Sequence, residues 1–213
     1  LFHPKTIAIS FVALALAGCA TNAEFDETGG IKSVRSSCPA VAIPVHTADV
    51  TLFDPAGSRD ARAIDVVATI TNLRNTCVQQ GDRIVTTATF DIQARRTNTS
   101  GAREVVLPYF ATVTRGGTQI VSKQLSRVAL RFADGQSSAT ATGGGNADIA
   151  ASAATLPPEI EEQVTRRRKP GDPDAATDPL ADPAVRSALR QASFELLVGF
   201  QLTQDQLAYN ATR

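Results

Sequence analysis

Tryptophan and methionine are absent from the 213 residues, and aromatic residues make up only 5% of them. A core must therefore be built from Val, Ile, Leu and Ala. Methionine is missing even at position 1, which points to an alternative start codon or an incomplete N-terminus. No sign of charge is in excess, with 21 basic against 21 acidic residues, so nothing general points to nucleic acid or to anionic lipid. Histidine occurs twice, at His3 and His46, and cysteine three times, at Cys19, Cys38 and Cys77. That scarcity removes most nucleophile and metal schemes at once. No hydrophobic run is long enough to span a bilayer: the longest, Ile7 to Gly18, has twelve residues against the roughly 20 that a spanning helix needs.

What is present is the composition of a globular protein, 43% hydrophobic and 20% charged. The apolar run near the N-terminus follows a single basic residue, Lys5, is broken only by Ser10, and stops at Gly18-Cys19 before Asn22, Glu24, Asp26 and Glu27. This is the layout of a secretory signal. Its last four residues, Leu16-Ala17-Gly18-Cys19, resemble the lipobox of bacterial lipoprotein precursors: a branched apolar residue, two small ones and a cysteine. The resemblance implies removal of residues 1–18, a diacylglyceryl thioether on Cys19 and fatty acylation of the new amino group. Two or three such chains anchor a protein stably where one holds it only marginally. Ala20 stands where an aspartate would, in many bacteria, retain such a protein at the inner membrane, so the outer membrane is the expected address, at its periplasmic face.

With Cys19 lipidated, Cys38 and Cys77 remain in an oxidising compartment, and a disulfide is the natural inference. It would close a loop of about 40 residues and stabilise the fold by about 3–4 kcal/mol on the chain-entropy model. Two buried free thiols are the alternative.

Residues 19–37 are small, polar and glycine-containing, and read as a lipidated flexible tether to a single domain over 38–213. Ala48 to Phe53 is a short strand, and alternation over Ile64 to Thr71 predicts a second. Asn72 to Asp82 reads as a loop. Ile84, Thr86, Ala88, Phe90, Ile92 and Ala94 then share one face, the clearest strand of the chain. Thr97 to Gly101 is a turn, Glu104 to Thr114 a strand, and Arg115 to Thr118 a tight turn into Gln119 to Gln124; Val128, Leu130 and Phe132 alternate after it. Residues 137–147 are low in complexity and end in Gly143-Gly144-Gly145, a flexible loop or a glycine-interrupted edge strand.

A helical insertion is expected at about 156–192. Pro157, Pro158 and the glutamates at 159, 161 and 162 start one helix, with Arg166 to Lys169 at its C-terminal end before Pro170. Asp182 caps a second that runs to about Ala192. Phe194, Leu196, Val198, Phe200 and Leu202 then alternate with Glu195, Gly199, Gln201 and Thr203 as a last strand, and Thr203 with Gln206 forms a capping box. The fold class expected is mainly β: an antiparallel immunoglobulin- or fibronectin-like sandwich with one or two helices before the C-terminal strand.

For chemistry the inventory is poor. His46 lacks any G-x-S-x-G or other triad signature and reads as a loop residue. Asp172, Asp174, Asp178 and Asp182 miss the ligand register of a calcium loop. The glycines at 143–145 lack the lysine and helix of a phosphate loop, and Arg166 to Lys169 read as a solvated helix end. No catalytic residue, metal ligand or cofactor is assigned. The function expected is that of a non-enzymatic, lipid-anchored envelope protein that binds another envelope component by its loops or an edge strand. The alternatives are a glycan- or small-molecule-binding lipoprotein and, behind that, a carboxylate-based hydrolase. A deep pocket with convergent polar groups would favour these, and a shallow apolar surface the first.

Overall fold

The computed structural model describes residues 36–166, 171–173 and 175–212. The signal, Cys19 and nearly all of the tether lie outside them, as do Arg167, Arg168, Lys169 and Asp174. Among the described residues there are eight strands: β1 (Ala40–Ala42), β2 (Asp49–Phe53), β3 (Ile64–Gln80), β4 (Arg83–Arg96), β5 (Arg103–Arg115), β6 (Gln119–Phe132), β7 (Ser138–Ala150) and β8 (Phe194–Phe200). Helices α1 (Pro158–Thr165) and α2 (Pro183–Ala192) fall between β7 and β8, and α3 (Gln204–Thr212) follows β8. One sheet has the order β1-β8-β5-β6 and the other β2-β3-β4-β7. Every pairing is antiparallel except that of β1 with β8. The mainly β class with helices before the last strand is thus as expected.

The inner faces of both sheets share one apolar cluster. On β4 the period-two alternation holds along its length: Ile84, Thr86, Ala88, Phe90, Ile92 and Ala94 are all buried. Across the interior, the Phe90 ring meets the Tyr109 ring of β5 edge-on, with centroids 5.4 Å apart. The low-complexity segment proves to be the glycine-interrupted edge strand, β7, and close neighbours on both sheets account for two of its glycines. A Cβ on Gly143 would lie 2.5 Å from the Phe90 ring, and one on Gly145 would lie 2.4 Å from the Ala111 Cβ of the opposite sheet. Between them the Gly144 carbonyl accepts a hydrogen bond from the Tyr109 hydroxyl at 3.1 Å.

Cys38 and Cys77 form the disulfide, with Cα atoms 6.2 Å apart. Cys38 precedes β1 in one sheet and Cys77 sits in β3 of the other, so the bond ties the two layers together. The position of Cys77 corrects the expected loop at Asn72 to Asp82. The strand shifts register between Thr71 and Arg74, where Asn72 adopts a positive φ of 53°, and then pairs with β4 as far as Gln80. Beyond that bulge neither face is buried, so no alternation marks the strand in the sequence.

Other boundaries differ for related reasons. β6 is one strand, not two, because Leu125 to Arg127 pair with β5 although exposed. The short β1 was not anticipated. The first helix ends at Thr165 with Arg166 as its C-cap, whose N–H donates to the Glu162 carbonyl, and the rest of the cationic run lies outside the described residues. The last strand ends at Phe200: Leu202 is half-buried beyond it, and Gln201 is half-buried too, with a buried side-chain oxygen, so it does not face open solvent as expected. Phe194, Leu196, Val198 and Phe200 do enter the core. Asp182 accepts from the Ala184 N–H as an N-cap, and Thr203 and Gln206 exchange the two bonds of a capping box.

Besides Thr86, one charged side chain on the inner face of β4 interrupts the apolar pattern. Arg96 is buried at 4% exposure, its guanidinium bonded to the carbonyls of Thr99, Ala133 and Gln136 and placed 5.2 Å from the Phe132 ring centroid. It closes one end of the core by joining two turns.

Phe200→Ala should cost about 3–5 kcal/mol through the cavity it leaves. Gly145→Ala should cost about 1–3 kcal/mol, because a methyl group enters the space that Ala111 fills. Gly57→Ala, which meets nothing within 4 Å, should change stability by less than about 0.5 kcal/mol. Urea denaturation midpoints of the three variants check this ordering.

Candidate functional site

The residues considered for chemistry do not converge. His46 lies exposed on the turn between β1 and β2 at a φ of 67°, and what the structure uses is its carbonyl, which accepts from the buried Asn210 of α3. Asp178 and Asp182 serve as N-caps of successive helical turns. Among the described residues no group of three or more His, Cys, Asp and Glu side chains is placed to hold a metal ion. Several carboxylates are engaged in ion pairs instead: Asp65 with Arg103, Asp148 with Arg83, and Glu104 with Arg131. The Asp65 pair is bidentate at 2.7 and 2.6 Å, and those hydrogen bonds raise the pKa of Arg103 above the ordinary guanidinium value.

A cleft of about 450 Å³ opens between β2, the loop after it and the start of α3. Phe53 and Tyr209 meet edge-on in its wall, with ring centroids 5.2 Å apart. Arg59 lies over Phe53 at 5.3 Å and reaches Asp205 at 3.6 Å. Its polar groups are already matched in sign, two guanidinium groups with two carboxylates, so it presents no net charge to a ligand.

The more distinctive surface is the outer edge of the first sheet. β6 has one neighbour, β5, and its other side carries no strand among the described residues. From Gln119 to Arg127 every residue of β6 is exposed, on both faces. Val128, Leu130 and Phe132 point into the core, so the strand's period puts Ser126, Gln124 and Ser122 on the same inward side. Being polar, they form no core there. The outward side carries Leu125 at 64% exposure, Lys123, and Ile120 at 63% across a bulge at Val121, itself 52% exposed. Lys123 lies 5.5 Å from the centroid of the half-buried Phe110 ring on β5.

The edge begins beside an open groove of about 520 Å³ between the β5–β6 turn and the end of α2, lined by Arg115, Gly116, Thr118, Gln119, Arg190 and Gln191. The groove's geometry is fixed from below. Glu195 of β8 accepts from the Thr114 hydroxyl at 2.5 Å and from the Gly117 N–H at 3.2 Å, while Arg115 donates to the Gln191 carbonyl at the C-terminal end of α2. Gly116, at a φ of 62°, passes so close that a Cβ there would lie 3.0 Å from the Arg190 carbonyl oxygen.

The chain matches no protein-family model, no curated protein and no solved structure. The site is therefore read from its own geometry. Sequence reasoning named an edge strand as a means of binding but did not place it on β6. The sequence itself offers only three large apolar residues, Ile120, Val121 and Leu125, that follow no strand period.

Asn210 fixes α3, and with it one wall of the aromatic cleft, by donating to the His46 and Asp49 carbonyls at 2.8 Å each. Asn210→Ala leaves both acceptors without that partner and should cost about 1–3 kcal/mol. Thermal unfolding should show this loss, whereas His46→Asn, which keeps the carbonyl and tolerates the left-handed backbone, should leave the midpoint nearly unchanged.

Proposed function

We propose that this is a non-enzymatic, lipid-anchored protein of the cell envelope that docks a partner along the free edge of β6. The observation that carries this reading is the nine-residue edge, unpaired on one side and exposed on both faces, with Ile120, Val121 and Leu125 more than half exposed. A strand in this state offers a row of backbone donors and acceptors to any extended chain, and edges left so open are ordinarily blunted or covered. The anchor is supported by the resemblance of Leu16-Ala17-Gly18-Cys19 to a lipobox, with acylation of Cys19. Ala20 favours the periplasmic face of the outer membrane, and the Cys38–Cys77 bond suits an oxidising compartment. Among the described residues no helix is long and apolar enough to cross a membrane. For the scaffold we carry an immunoglobulin- or fibronectin-like relationship as part of the proposal. The disulfide between layers favours it, while three consecutive strands side by side in the order β2-β3-β4 depart from the ABED order of that fold. The aromatic cleft favours a second reading, a glycan- or small-molecule-binding lipoprotein, through Phe53, Tyr209, Arg59 and Arg103.

Cys19→Ser should abolish membrane fractionation and leave residues 1–18 attached, as mass spectrometry of the variant would show. Normal fractionation would sink the anchor. A photo-crosslinking residue at Val121 should capture a discrete envelope partner in cells, whereas one at the exposed Thr89 of β4 should not. Equal capture at both positions, or at neither, would count against β6 as the docking edge.

A further inference from the structure

We infer that the partner segment on β6 is an extended peptide whose outward residues alternate acidic and apolar, added to the sheet as a fifth strand. This rests on the reading of β6 as the docking edge and goes on to specify what fits it. β6 carries Lys123, Arg127 and Arg131 and no carboxylate. Arg131 is paired with Glu104 at 2.7 Å, and Lys123 leans on the Phe110 ring, so positive charge stands uncompensated along the exposed half. The groove at the start of the edge adds Arg115 and Arg190 and is lined by no acid. Glu195, the carboxylate beneath it, is occupied by Thr114 and Gly117.

The order of residues along the edge sets the partner's pattern. Side chains of one strand alternate in direction, so Lys123, Leu125 and Arg127 share the outward side while Ser122, Gln124 and Ser126 share the inward side. Directly opposite positions on adjacent strands interact, with unlike charges and apolar pairs favoured. A strand laid beside β6 therefore matches it with an acid opposite Lys123, an apolar residue opposite Leu125 and an acid opposite Arg127, separated by small polar residues. Two β6 edges paired about Leu125, the register that joins their apolar residues, would set Lys123 against Arg127, which disfavours a second copy of this chain. An anionic membrane surface would answer the charge and the apolar side chains but would leave the edge's N–H and C=O groups without partners.

The test uses the purified protein and two fluorescent peptides, Ser-Glu-Ser-Val-Ser-Glu-Ser-Val-Ser and the same peptide with Lys for Glu. Binding is read by polarisation and folding of each variant by circular dichroism. The acidic peptide should bind, the basic one should not, and Lys123→Glu with Arg127→Glu should weaken the acidic peptide roughly tenfold while admitting the basic one. Ile120→Ser with Leu125→Ser should weaken both pairings. Equal binding of the two peptides, each lost in the Ile120→Ser, Leu125→Ser variant, would overturn the acidic pattern and leave the docking edge standing. Peptide binding untouched by that variant would overturn the docking edge itself. Binding of the protein to phosphatidylglycerol vesicles with neither peptide bound would overturn the proposal in favour of a membrane surface.

Discussion

The packing of the two sheets depends on one close approach, where Phe90 and the glycines of β7 face Tyr109 and Ala111 of the opposite sheet. Phe90 occupies the volume that a side chain at Gly143 would need, and Ala111 takes the corresponding space at Gly145. Between these two glycines the Gly144 carbonyl accepts from the Tyr109 hydroxyl. With few aromatic residues available, the core depends on placing these rings where backbone can approach them. The run of glycines, which costs conformational entropy in any strand, is the complement of that packing.

That arrangement leaves β6 open. β7 pairs with β4 from end to end, so it is committed to the second sheet and, although it packs close to β6, forms no ladder with it. β8 lies on the far side of β5, where Leu196, Val198 and Phe200 complete the core. The inward residues of the exposed half of β6 are serine and glutamine, so nothing in the interior demands that this half be covered. Exposed lysine is a common guard of free edges, and here Lys123 stands beside Leu125 and Ile120, which invite contact.

Much of the architecture was legible in the chain. The alternation on β4, the pairing of Cys38 with Cys77, the Asp182 cap and the capping box of Thr203 with Gln206 each follow from a local rule or from simple elimination. The far half of β3 and the middle of β6 were not legible, because neither buries a full face and so neither has a hydrophobic period to show. Arg96 was missed for the opposite reason: it falls on the buried phase of β4, and its three carbonyl partners come from turns 3 to 40 residues away in sequence. The candidate site shares this difficulty. Ile120, Val121 and Leu125 look ordinary in sequence, and their meaning depends on which strands pair, a property of the whole chain. The Asp172 to Asp182 run, conspicuous in sequence, supplies helix caps at Asp178 and Asp182.

The central claim is that the free side of β6 accepts another chain. Hydrogen exchange on the protein in membranes from its host, where the proposed lipid anchor would hold it, compared with the same protein purified in detergent, addresses it directly. Amides of residues 119–127 should exchange quickly in detergent and be protected in the membranes, while those of β4, already paired on both sides, should stay the same. Identical exchange of residues 119–127 in the two settings would contradict the account.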